Sequence, residues 1–381
     1  MKKKILFVAH EKMINGSSYS LLNLMDCLKD KCEFIVVTPF KDGPFVDELK
    51  KRVVEVYYAP FFRWVDIKDE NFKLKQKKWR YYNKINQKLA VKISQLLKNE
   101  NIDIIHSNTT VIDFGYRLSK LLNIPHIWHA REFGEKDFDM YPLCSYKKYY
   151  KVISDNNYIV CVSNIISEKF KGKVNNNYLK IIYNGVDKKN VNNNKKYNLN
   201  KNSKLICLQS GMINKAKGQD ITIMAIEKLV NEGYDIELLL AGSGNLSDLG
   251  IESSNKSWLR ILGQVSNLPE IRKNVDIEIV SSKSEAFGRV TIEAMMSGLA
   301  VVGSNSGATK ELIEDGKNGL LFNQGDFIDL SKKIEYLFNN RNEMKRLGLN
   351  AYNCSKDYFL IDRCANELYQ LYNEIINSKE V

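Results

Sequence analysis

Short runs of consecutive apolar residues alternate along the chain with longer stretches whose apolar positions recur every three or four residues. The first pattern marks buried strands and the second amphipathic helices. In the first half, strands are expected at Lys4–Ala9, Glu33–Thr38, Glu55–Ala59, Ile102–His106, His126–His129 and Tyr158–Val162. Helices are expected at Ser18–Lys29, Val46–Lys51, Lys73–Lys98, Val111–Leu122 and Ile165–Lys171. A short apolar run, Ile181–Val186, follows, and then KKNVNNNKKYNLNKNSK from Lys188 to Lys204. That Asn- and Lys-rich segment offers little to bury and reads as a surface linker.

The alternation then restarts. Strands are expected at Leu205–Ser210, Glu237–Ala241, Leu259–Leu262, Ile277–Ser281, Ala300–Gly303 and Gly319–Phe322. Helices fit Gln219–Asn231, Leu268–Asn274, Arg289–Ser297, Ala308–Ile313, Phe327–Asn339 and a final amphipathic stretch, Leu360–Asn377. Strand–helix alternation on this scale predicts an α/β chain with two doubly wound sheets. A length of 381 residues suits two domains, and 44% hydrophobic content suits packed cores.

Composition narrows the setting. No apolar run approaches the ~18 residues of a membrane span. The opening MKKKILFVAH has a basic lead, but its apolar run is too short for a signal peptide, so it reads as a first strand. Seven cysteines with no CxxC pair or metal-site spacing fit reduced thiols in a cytoplasmic protein. The formal net charge is +12. Asn71–Lys98 holds nine Lys/Arg and no acid, with Trp79, Tyr81 and Tyr82 among them. Such a helix suits the anionic inner face of a membrane, with the protein peripheral there. It also suits a solvated face backed by a core stripe of Ile85, Leu89, Ile93 and Leu96. No nucleic-acid-binding motif is present, so nucleic acid is not an expected partner.

The chemistry concentrates in Ser281–Phe322, SSKSEAFGRVTIEAMMSGLAVVGSNSGATKELIEDGKNGLLF. Glu285 follows a strand, Gly288 permits a tight turn, and Glu293 sits on the helix that begins at Arg289. The free N–H groups of that helix start favour an anion. A second loop, SGMINKAKGQD (Ser210–Asp220), follows the first strand of the second half. These two stretches resemble the E-x7-E element and the G-R-x-x-x-x-K-G-x-D loop of the retaining family 4 glycosyltransferases, of the group 1 type. The resemblance implies the GT-B fold, in which two Rossmann-like domains face each other across a cleft. It implies domains at 1–186 (acceptor) and 187–360 (donor), with 361–381 crossing back to the first. It also implies transfer of a sugar from a UDP- or GDP-linked donor to a glycan or lipid-linked acceptor, with no cofactor and no metal.

By the same resemblance, Glu285 contacts donor-sugar hydroxyls, Lys217 neutralises the diphosphate, and His129 in PHIWHAREF positions the sugar. Glu293 binds the ribose. Gly288, Arg289, Phe287, Val290, Gly211 and Gly263 line the donor site, with Gly16 of the Asn15-Gly16-Ser17-Ser18 loop approaching it. Arg131, Glu132 and Asn15 face the acceptor. AGSGN (241–245), LGQV (262–265), YNGVD (183–187) and SNSGATKEL (304–312) match weaker elements of the family. Met212 stands where the family has an arginine, and Arg289 is a possible substitute for that cation. Plain readings stay open beside these: a packed strand-end histidine at His129 and an ordinary helix start at Asn15. A catalytically inactive sugar-nucleotide-binding scaffold and a sugar-nucleotide 2-epimerase are alternatives for the whole chain. The Lys/Asn-rich composition and basic helix suggest bacterial surface polysaccharide or capsule synthesis.

Overall fold

The computed structural model describes residues 2–192, 195–200, 202–252 and 256–378. It forms two compact units, Met1–Gly185 with Ile361–Val381, and Val186–Leu360. Asn193, Asn194 and Lys201, within the expected linker, lie outside the described residues.

The first unit contains β1 (Lys3–Val8), α1 (Gly16–Leu28), β2 (Cys32–Thr38), α2 (Pro44–Lys51), β3 (Glu55–Tyr58), β4 (Val65–Ile67), α3 (Phe72–Leu97), β5 (Ile104–Ser107) and α4 (Phe114–Leu122). It continues through β6 (His126–Ala130), α5 (Glu135–Phe138), β7 (Met140–Pro142), α6 (Tyr146–Ile153), β8 (Tyr158–Cys161), α7 (Asn164–Ser167) and β9 (Leu179–Ile181). Seven strands form one sheet in the order β3-β2-β1-β5-β6-β8-β9, with every pairing parallel. Helices on both faces bury such a sheet, which is why its strands read as continuous apolar runs.

The second unit contains β10 (Leu205–Ser210), α8 (Gln219–Asn231), β11 (Ile236–Ala241), β12 (Leu259–Gly263), α9 (Leu268–Lys273), β13 (Ile277–Val280) and α10 (Arg289–Met296). It closes with β14 (Ala300–Ser304), α11 (Gly307–Leu312), β15 (Leu320–Phe322), α12 (Phe327–Asn339) and α13 (Arg341–Ser355). Its sheet runs β12-β11-β10-β13-β14-β15, again all parallel. The last helix, α14 (Ile361–Asn377), returns to the first unit. There Leu368, Leu371, Tyr372 and Ile375 join Leu21, Leu24, Met25 and Leu28 of α1 in one core.

Several expectations need correction. The Lys188–Lys204 segment is no free linker where it is described: Lys195 Nζ donates to the carbonyls of Arg272 (3.0 Å) and Lys273 (3.1 Å), and Tyr197 Oη donates to Gly298 O at 2.7 Å. Lys195 and Tyr197 thus act as donors closing carbonyls at the ends of helices. The α3 core stripe is displaced: Leu96 is 55% exposed, whereas Asn86, Ala90, Ile93 and Leu97 are buried. The cause is Asn86, which accepts from Phe62 N (2.9 Å) and donates to Phe62 O (2.8 Å), so the packed face turns toward that loop. Helix α4 begins at Phe114 rather than Val111 because Val111 O accepts from Trp64 N, which keeps that residue in the preceding loop. The β4–β7 ribbon, α6 and α13 are elements that the apolar pattern did not reveal.

Candidate active site

Ligands of open parallel sheets bind beyond the carboxyl ends of the strands, where the strand order reverses. In the second sheet the reversal falls between β10 and β13. The two loops leaving those strands are Gly211–Gly218 and Ser281–Gly288, which hold Gly211, Lys217, Glu285, Phe287 and Gly288 of the expected donor residues.

These loops are locked together. Lys283 N donates to Ala216 O at 2.8 Å. Gln209 Nε2 donates to Lys217 O (2.9 Å) and Ser281 Oγ (2.8 Å), and Ser281 Oγ donates to Gly218 O (2.7 Å). Gly218 has φ +68°, and a Cβ there would lie 2.4 Å from Ser281 O, so both backbone shape and space demand glycine. Glu285 is fixed from the other side: its carbonyl accepts from Ala308 N at 2.7 Å, and a Cβ on Gly307 would strike Glu285 N at 2.5 Å.

The lock brings Lys217 Nζ to 2.6 Å from Glu285 Oε1, although 68 positions separate them. Both side chains keep some exposure, 31% and 14%. Glu293 is nearly buried and lies between two guanidinium groups, Arg289 Nε at 2.7 Å and Arg272 Nη1 at 3.0 Å. Burial pushes its carboxyl up, but the attraction of Arg272 and then Arg289 outweighs this and holds it below the usual carboxylate range. Gly288 caps α10 at φ +77°, Phe287 is buried, Val290 is half-buried, and Gly263 ends β12 at φ +64° with open space at its α-carbon. Gly211 has φ +132°, and its carbonyl lies 1.9 Å from where a Cβ on Gly242 of AGSGN would sit. Met212 is 58% exposed.

Arg272 and Glu278 escaped the sequence reading. Arg272 has no exposure and grips Glu278 by two nitrogens, Nε at 2.7 Å and Nη2 at 3.1 Å. The available signal was a glutamate inside IEIV, a strand of a sheet buried on both faces, where a charge needs a partner.

In the first unit the strand order reverses between β1 and β5. Beyond these strands and β6 lie Glu11, Asn108, Thr109, Arg131 and Glu132. Glu11 is buried and accepts from Ser17 Oγ and, at 3.0 Å, from His10 N. Asn15 acts as the N-cap of α1, accepting from Ser17 N and Ser18 N at 3.1 Å each. Gly16 has open space at its α-carbon. Arg131 donates to Asn108 O (3.1 Å), to Asn184 Oδ1 (2.8 Å) and to His129 Nδ1 (3.2 Å).

His129 is buried within the core of its unit. A guanidinium only donates, so His129 Nδ1 is an acceptor and its proton sits on Nε2. His106 Nε2, 3.1 Å away, therefore donates to the same Nδ1, and His106 Nδ1 accepts from Tyr372 Oη at 2.8 Å. Burial and then Arg131 hold both imidazoles well below their ordinary pKa, hence neutral. His129 Nε2 has no hydrogen-bond partner among the described residues. Glu132 accepts from Thr109 Oγ1 and from Arg131 N at 3.0 Å. Burial, then the Asp137 carboxylate, push its carboxyl up to about 8. Among the described residues no group of three or more His, Cys, Asp or Glu side chains is placed to hold a metal ion, and no helix is long and apolar enough to cross a membrane.

Known proteins resemble this chain along most of its length. The family described as Glycosyltransferase Family 4 matches residues 14–190, and that described as Glycosyl transferases group 1 matches residues 190–354. An uncharacterised glycosyltransferase of Methanocaldococcus jannaschii is 30% identical over 295 residues, 75% of this chain and 80% of that one. The capsular polysaccharide biosynthesis glycosyltransferase CapM of Staphylococcus aureus is 26% identical over 203 residues, 51% of this chain and 53% of its own. Among solved structures, HepE of Anabaena in complex with UDP and glucose superposes with a TM-score of 0.75 at 19% identity, covering 97% of this chain and 99% of that one, and it has the same fold. The two parallel-sheet units are those of the GT-B fold, and the chain belongs to the family 4, group 1 glycosyltransferases.

Proposed function

We propose that this glycosyltransferase moves a sugar from a UDP- or GDP-linked donor to a hydroxyl of a glycan or lipid-linked acceptor, with retention of configuration and without a metal. The observation that carries the reading is the Lys217–Glu285 pair, 2.6 Å apart and partly exposed at the strand-order reversal. A departing diphosphate needs cations, and the developing oxocarbenium-like sugar needs fixed polar contacts. Lys217 and the N-terminus of α10 serve the diphosphate, while Glu285 is freed for the sugar hydroxyls as Lys217 changes partner. Glu293 takes the ribose. Buried His129 acts indirectly, by supporting Arg131 through its Nδ1, and Arg131, Glu132 and Asn15 belong to the acceptor side. With retention, the diphosphate oxygen takes the acceptor proton on the face the leaving group departs from.

The resemblance to CapM supports surface polysaccharide synthesis in a bacterium. Helix α3 supports a peripheral place on the inner membrane face. Its exposed Lys73, Lys77, Lys84, Lys88 and Lys92 follow helical spacing, beside exposed Leu74 and Tyr81. The test is calorimetric binding of UDP, GDP and ADP with chelator present, followed by NMR of the product anomer. Binding of one nucleotide, lost in Glu293→Ala, and a retained anomeric centre are expected. An inverted product overturns retention. If no nucleotide binds, exposed Met212 marks a broken diphosphate site and the protein is a non-catalytic scaffold.

A further inference from the structure

Glu293 must remain a carboxylate while almost out of contact with water, and two groups hold it there. Arg289, on the same helix, is 36% exposed. Arg272, from α9, is fully buried, and Glu278 of β13 stands behind it as its counter-charge. These are the charged groups facing Glu293. Arg272 spends Nε and Nη2 on Glu278, with Nη2 also 3.3 Å from Ser210 Oγ, and turns Nη1 to Glu293 Oε2. Glu278 has no exposure, so no ligand reaches it.

Stability alone does not call for this arrangement, because apolar side chains of similar volume commonly replace a buried ion pair at no loss. A planar guanidinium fork does something that apolar packing cannot: it sets the direction of the carboxylates it touches. We propose that Arg272 is a positioning residue for nucleotide binding, holding Glu293 oriented and ionised so that its remaining lone pairs accept the two vicinal ribose hydroxyls. The inference rests on the proposed ribose role of Glu293. Its chemistry is simple. A carboxylate accepts from both hydroxyls, whereas a protonated acid turns one of its oxygens into a donor. Remove Arg272 and burial favours the protonated form.

The test measures binding of UDP and 2′-deoxy-UDP between pH 5.5 and 8. The ratio of the two affinities cancels titration of the terminal phosphate. Wild type should prefer UDP by about tenfold or more, with a ratio flat in pH, as expected for hydrogen bonds to a charged acceptor. Arg272→Met alone strands Glu278, so the main variant is Arg272→Met with Glu278→Met, which removes the pair together. It should fold, and its ratio should fall toward one as pH drops, because Glu293 gains a proton. Arg272→Lys restores the charge without the fork, so it should give a flat but smaller ratio; it also serves if the double variant does not fold. A folded double variant with the wild-type ratio at every pH overturns the proposal, as does Arg272→Lys that keeps the full ratio. A wild type that binds UDP and 2′-deoxy-UDP equally overturns the ribose role of Glu293 itself. Wild type that binds neither UDP nor GDP refutes the donor site as a whole, one that binds GDP alone moves the same comparison to GDP and 2′-deoxy-GDP, and these failures are distinct.

Discussion

The two units repeat one architecture and treat their carboxylates oppositely. At the reversal of the second sheet, each acid meets a cation: Glu285 meets Lys217, and Glu293 meets Arg272 and Arg289. At the reversal of the first, Glu132 is buried against Thr109 and a backbone amide, and its carboxyl rises to about 8. Glu293 is held as a fixed anion, suited to accept from hydroxyls. Glu132 can change protonation near neutral pH, suited to a hydroxyl whose proton must move. Equal sheets do not make equal sites, and the difference lies in the few side chains just past the strands.

The largest expected effect lies on the second unit. Lys217→Ala and Glu285→Ala should each lower kcat/KM for transfer by about 10²–10³-fold, the usual scale for removing a group that stabilises developing charge. Glu132→Gln should be milder and should chiefly move the pH profile of the rate. Equal losses at Glu132 and Glu285 would erase the contrast.

Next come the glycines. Gly218→Ala should destabilise by about 1–3 kcal/mol in urea unfolding, since the new Cβ meets Ser281 O and the backbone stays left-handed. Gly16→Ala, in open space at a helix start, should leave stability level or raise it by about 0.4–1 kcal/mol. Activity lost in Gly16→Ala without loss of stability would identify a close ligand approach there.

The opposite titrations give a third test. Glu132 binds its proton more tightly folded than unfolded, so its contribution is present below about pH 4.3 and is lost as pH rises through about 8. Glu293 is held below its ordinary value, so its contribution is present above the unfolded carboxylate range and is lost as pH falls through the lowered folded value. Unfolding curves of Glu132→Gln should therefore converge with wild type in acid, and those of Glu293→Gln should diverge from wild type as pH rises from acid to neutral. Parallel curves would refute the contrast.

The smallest effect on chemistry is expected on α3. Replacing Lys73, Lys77, Lys84 and Lys88 by Glu should abolish sedimentation with anionic vesicles and leave transfer to a soluble acceptor within about twofold, as for surface charges remote from a site. Wild-type binding that ignores salt would argue against an electrostatic surface.

Much of this was legible in the chain, for stated reasons. Parallel strands buried on both faces announce themselves as apolar runs, so both sheets and the loops after β10 and β13 could be located. Short elements such as β4, β7 and α6 could not, because β4 and β7 are only three residues long and α6 mixes lysine and tyrosine without an apolar run. Helix α3 was found, yet its inner face was misplaced by the buried amide of Asn86. Lys195 and Tyr197 looked like solvated linker residues because their value lies in donors aimed at distant carbonyls. Arg272 was missed because it resembles an ordinary surface charge on α9, and Glu278 because a glutamate in a buried strand does not name its partner. In the first unit the order of protons along Tyr372, His106 and His129 depends on residues far apart in sequence, which no local pattern encodes.

The return of α14 has a consequence for how the chain is made. The second unit is one contiguous stretch, Val186–Leu360, whereas the first needs Leu368, Leu371 and Tyr372 to cover α1 and to reach His106. During synthesis the earlier-made unit must therefore wait, with one flank of its core open, until the final helix has left the ribosome. The later-made unit can complete itself first. A released chain truncated after residue 360 should show a protease-resistant second unit beside a first unit that is cut.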